Sequence, residues 1–237
     1  MAASTVFKDE VRDMSDVTAS WIELQAADGH RLRAYKVPAK GEEIGRLIVA
    51  PEIFGINHHI RSVCDGFAQQ GFTALAPDLF DRAERGVELA YDDAGIQKGI
   101  ALKGAVPTAD ALQDVAAALA HLGGAGAAAI VGYCWGGSIA WAAAAALPLR
   151  AAVGYYGGEI GKSLDTVPRV PTLLHFGEQD HAIPLSVADG VRSRYPWLPV
   201  HVYPAGHGFN CDERGSFHPE SAVLALRRTV GLLRAVF

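Results

Sequence analysis

Cysteine is scarce in this chain: 237 residues carry only Cys64, Cys134 and Cys211, odd in number and widely scattered. That usage makes no disulfide framework and suits a reducing compartment. CxxC and HExxH spacings are absent, and His58 and His59 are adjacent rather than one helical turn apart, so no metal site is expected. The richest apolar run, Ile139 to Leu147, is far shorter than the ~20 residues that a bilayer crossing needs, which excludes a membrane span. Lys and Arg number 21 against 26 Asp and Glu, for a net charge of -5, and no basic cluster occurs. A phosphate backbone calls for a Lys/Arg stripe, so a nucleic-acid partner is not expected. The start, Met1 to Asp13, is acidic and has no apolar signal core, and the expectation is a cytoplasmic protein. Repeats, low-complexity linkers and composition breaks are also missing. What remains is one domain over residues 1–237, with residues 1–18 as a loosely ordered lead. Its partner would be a small molecule, it would use no cofactor, and it would be a monomer or a small homo-oligomer.

Half of the residues are hydrophobic and the mean hydropathy is +0.14, enough for one sizeable core. Trp21 to Leu24 and Leu32 to Val37 read as strands joined by the turn Ala27-Asp28-Gly29, an antiparallel hairpin. Buried-strand runs follow at Leu47–Ala50, Phe72–Ala76, Ala128–Val131, Ala151–Tyr156 and Thr172–Phe176, and a short one at His201–Tyr203. Helices are expected near 59–69, 109–122, 138 onward, 185–195 and 220–236, while Asp81 to Lys103 reads as a long polar stretch. On the first helix Cys64 shares the core face with Ile60, Val63 and Phe67. Strands alternating with helices imply a three-layer α/β architecture around a mostly parallel sheet, with ligands at the strand C-terminal ends.

The most telling segment is Val131-Gly-Tyr-Cys-Trp-Gly-Gly137. A strand precedes it and a helix former follows, so Cys134 occupies a strand-to-helix turn of the nucleophile-elbow type, with Gly132 and Gly136 removing side chains that would clash. At a helix N-terminus the dipole favours negative charge, and backbone N–H groups face a developing oxyanion. A cysteine nucleophile needs a base, and the base needs an acid to orient it. Asp180 follows the strand ending at Phe176, and His207 follows the strand ending at Tyr203, in the chain order nucleophile, acid, histidine that an α/β-hydrolase uses. His175 lies within a strand, and His181 reads as a loop residue. Glu52 closes the strand Leu47–Ala50, in the loop where this architecture builds the second half of its oxyanion hole. Backbone N–H groups of Ile53 and Trp135 are the candidate donors.

Together, Pro51-Glu52-Ile53-Phe54-Gly55, Pro77-Asp78-Leu79-Phe80, Gly132-Tyr133-Cys134-Trp135-Gly136-Gly137, Asp180 and Ala205-Gly206-His207-Gly208-Phe209 resemble the dienelactone hydrolase family, over residues 47–236. The resemblance implies an α/β-hydrolase fold and a Cys134–His207–Asp180 triad. It also implies that Glu52 holds the thiol silent until substrate arrives, and that an acyl-thioester forms on Cys134. A carboxymethylenebutenolide would yield a maleylacetate-type acid. The name-giving enzymes hold the substrate carboxylate with two arginines. Arg82 matches the first; the second position, four residues after the histidine, is Cys211, with Arg214 three residues further on. Another small carboxylated ester or lactone therefore stays open as the substrate. Two other classes stay open as well: a thiol redox protein using Cys134, with Cys211 to resolve it, and a silent binding module of hydrolase fold.

Overall fold

The computed structural model describes residues 18–237; the acidic start and the expected lead, up to residue 17, lie outside the described residues. Eight strands form one sheet in the order β1-β2-β4-β3-β5-β6-β7-β8. β1 (Ser20–Gln25) and β2 (Arg31–Val37) make the expected antiparallel hairpin, turning through Gly29 at φ 88°. β2 pairs antiparallel with β4 (Phe72–Pro77), and every later pairing is parallel: β4 with β3 (Gly45–Ala50), then β5 (Ala129–Tyr133), β6 (Ala152–Tyr155), β7 (Thr172–Gly177) and β8 (Val200–Tyr203). β4, β5, β6 and β7 are buried along their whole length, as strands covered on both faces must be.

Alternate side chains feed two cores. Leu47, Val49, Ala74 and Val131 pack with Ile60, Cys64 and Phe67 of α1 (His58–Gln69) and with Ala225 and Leu233 of α6 (Pro219–Val236). Ile48, Leu75 and Ile130 face the other way. They pack with Leu102 of α2 (Asp93–Ala105), Val115 and Ala118 of α3 (Thr108–His121), and Ile139 and Ala143 of α4 (Trp135–Ala146). Burying a Leu or Ile side chain in such a layer is worth about 1.5–3 kcal/mol, so these two cores carry the fold. α5 (Leu185–Arg194) closes the β7–β8 end.

The stretch from Asp81 to Lys103 departs from its sequence reading. A 3₁₀ turn spans Leu79–Arg82, and α2 fills residues 93–105. The helix leaves little apolar periodicity because two of its buried positions are Gly95 and Gly99. Gly99 is required by close approach: a Cβ there would run into the carbonyl oxygen of Ile53. A residue with poor helix propensity is kept because it lets α2 brace the loop that follows β3.

Candidate active site

Cys134 stands between β5 and α4 with φ 53° and ψ -112°, a left-handed-side conformation that costs a non-glycine residue about 1–3 kcal/mol. Its neighbours make the strain possible. A Cβ on Gly132 would strike the Gly136 carbonyl, and a Cβ on Gly136 would strike the carbonyl of Ala50. The Cys134 N–H donates to Tyr155 O at 3.0 Å, and the Gly136 N–H to Pro51 O at 3.0 Å. The second bond ties the elbow to the loop carrying Glu52 and Ile53.

Asp180 follows β7 and is buried. Its Oδ1 accepts the N–H groups of Ala182 and Ile183 at 2.9 and 3.0 Å, which fixes the carboxylate plane. Oδ2 lies 2.8 Å from His207 Nδ1, and His207 Nε2 lies 3.2 Å from the Cys134 sulfur. Burial draws the imidazole pKa down, but the bonds to Asp180 and Cys134 outweigh it and push it up to about 10. Tyr156, with φ 38°, backs the imidazole at a ring separation of 5.1 Å.

Glu52 is fully buried. A carboxylate taken out of water needs partners. Tyr91 donates its hydroxyl to Oε2 at 3.0 Å, and Arg214 Nη1 sits 3.4 Å from Oε1. Burial, reinforced by the Glu52 charge, pushes the Tyr91 phenol far above its usual range and keeps it a donor. The Arg214 guanidinium lies over the rings of Tyr91 and Phe54, at 5.5 and 5.6 Å, and against Gly208 beside His207. In this arrangement the Cys134 thiol faces His207, and Glu52 faces Tyr91 and Arg214. Tyr91 has no signal in the sequence, because it lies in the stretch read only as polar.

Arg82 requires a correction. Its Nε and Nη2 make a bidentate pair with Asp114 at 2.8 Å each, and Nη1 reaches Asp28 at 2.7 Å. Burial opposes the charge, but the two carboxylates outweigh it and hold the guanidinium pKa above its ordinary value. The residue joins the β1–β2 turn to α3, so its donors are engaged in structure and not in holding a ligand. Cys211 and Cys64 are buried, and His175 is a core residue bonded to Tyr203 and Thr229.

A parallel-centred sheet with helices on both faces, a strained elbow after β5, and an acid and a histidine after β7 and β8 define an α/β-hydrolase. Residues 32–237 match the dienelactone hydrolase family, and the chain belongs to it. A carboxymethylenebutenolidase of Pseudomonas putida is 32% identical over 224 residues, 90% of this chain and 94% of that protein. A solved Klebsiella pneumoniae structure, provisionally assigned as a dienelactone hydrolase, is 31% identical with a TM-score of 0.77, covering 93% of this chain and 100% of that one. A dienelactone hydrolase-like promiscuous phosphotriesterase from metagenomic libraries, 21% identical, shares the fold with a TM-score of 0.73 over 92% and 99%. The chain is accordingly a lactone or ester hydrolase acting on a small molecule. Among the described residues no helix is long and apolar enough to cross a membrane.

Proposed function

We propose that the chain hydrolyses a small carboxylated lactone of the carboxymethylenebutenolide type through an acyl-thioester on Cys134. The observation that carries this reading is the continuous Asp180–His207–Cys134 relay, at 2.8 and 3.2 Å. With the proton on His207 the sulfur acts as thiolate. It attacks the lactone carbonyl carbon, the C–S bond forms, and the carbonyl electron pair moves to oxygen, where the N–H groups of Trp135 and Ile53 would receive it. Collapse breaks the ring C–O bond, and His207 gives its proton to the departing enolate oxygen. Water then transfers a proton to His207 and attacks the thioester; the C–S bond breaks and the thiolate returns. A thiolate is a good leaving group, which suits esters and lactones better than amides.

Arg214 takes the role that Arg82 cannot fill. It borders a cleft lined by His181, Ser216 and His218 that opens onto His207. A substrate carboxylate there would compete with Glu52 for the guanidinium. Hydrolysis of a carboxylated dienelactone, compared with its methyl ester, tests the reading. Arg214→Ala is expected to raise KM about tenfold or more for the acid and to leave the methyl ester within about twofold, the pattern of a lost binding contact. An equal loss on both substrates would remove Arg214 from recognition.

A further inference from the structure

A second cluster of ligand-type side chains lies outside the triad. His59, near the N-terminus of α1, and Cys211 and Asp212, on the loop after His207, bring one nitrogen, one sulfur and one oxygen within 4.8 Å of one another. We propose that these three side chains form a binding site for a thiophilic divalent cation of the Zn²⁺ class, with water completing a tetrahedral shell.

Three observations support the site. The separation between His59 Nδ1 and Asp212 Oδ1 is 3.1 Å, close to the ~3.3 Å edge of a tetrahedron with ~2.0 Å metal–ligand bonds. His59 is buried, and its Nε2 has no hydrogen-bond partner among the described residues. With its proton on Nε2, the ring turns the Nδ1 lone pair toward the Asp212 carboxylate, two acceptors that a cation between them would satisfy. Most buried polar atoms in native proteins are paired, so a buried histidine with an unpaired ring nitrogen, grouped with a thiol and a carboxylate, points to a ligand. Cys211 is fully buried, and a thiolate paired with imidazole and carboxylate selects borderline-soft cations over Mg²⁺ or Ca²⁺.

Binding exchanges the Cys211 thiol proton for the cation: the S–H bond breaks, the S–metal bond forms, and one proton passes to solvent. The bound cation would cross-link α1 to the loop that carries His207. Sequence spacing gives no hint of the site, because His59 lies far from Cys211 and Asp212 along the chain.

The test uses the full chain carrying Cys134→Ser, which removes the partly exposed thiol that sits beside the His207 imidazole. Co²⁺ titration is expected to give a thiolate charge-transfer band that saturates at one equivalent and is displaced by Zn²⁺, with Zn²⁺ raising Tm. Asp212→Asn changes a largely exposed side chain, and it should weaken Co²⁺ binding at least tenfold and abolish the Zn²⁺-dependent Tm shift. Adding Cys211→Ser should abolish the band. No charge-transfer band, or one that both substitutions leave unchanged, overturns the site.

Discussion

At the scale of single residues, the site works by assigning each charge a partner. Cys134 faces a histidine whose proton is held by Asp180, while Glu52 is occupied by Tyr91 and Arg214. The family resemblance implies a thiol kept silent by the glutamate until substrate arrives. On that reading iodoacetamide should label Cys134 in the ligand-free protein slowly, no faster than it labels a free cysteine at pH 7. Labelling at least tenfold faster than free cysteine would contradict the glutamate-held thiol. A second residue-scale prediction concerns Tyr156, whose buried hydroxyl has no partner among the described residues. Tyr156→Phe removes an unsatisfied polar group without changing the ring. It should stabilise the protein by about 1 kcal/mol, read as a shift of the urea midpoint at constant m. A loss of stability would mean that the hydroxyl is bonded. The proximity of Cys134, His207 and Asp180 could be anticipated from the sequence because each follows its own strand. Tyr91 was not, since its role is a contact with Glu52 across 39 positions. Arg82 misled because an arginine one turn beyond a strand looks the same in sequence whether it meets a ligand or Asp114.

At the scale of elements, the strands were readable because burial on both faces writes itself as apolar runs, and α1, α4 and α6 because each has an apolar face or a strong run of helix formers. α2 escaped because glycines occupy the positions where an amphipathic helix shows large apolar residues. That choice has a functional consequence. Gly99 lets the helix lie against Ile53, whose N–H is a proposed oxyanion donor and whose neighbour is Glu52. Gly99→Ala should push the loop away, reduce kcat at least tenfold while leaving KM within about threefold, and cost about 1–3 kcal/mol of stability. Unchanged kcat with lowered stability would separate α2 from catalysis.

At the scale of the whole molecule, the relay links stability to pH. His207 has a folded-state pKa of about 10, above its ordinary 6.5. Its protonated form is favoured by folding, so its stabilisation is fully present below about pH 6.5 and disappears as pH climbs through about 10. Urea unfolding followed from pH 7 to 10.5 should show this decline, and His207→Gln should flatten it. A wild-type profile that is flat over that range would contradict the raised pKa. Over the same interval kcat should fall on an alkaline limb, because the imidazolium that protonates the leaving oxygen is lost.

The central claim is that Cys134 carries the acyl group, and acid-quenched turnover followed by peptide mass mapping tests it most directly. With an activated carboxylated ester in excess, wild-type enzyme should yield one acyl adduct on the peptide containing Cys134 and none on those containing Cys64 or Cys211. Cys134→Ala should show neither adduct nor turnover. Multiple-turnover hydrolysis by Cys134→Ala at more than about one hundredth of the wild-type kcat, with no adduct on Cys134 in the wild type, would contradict it.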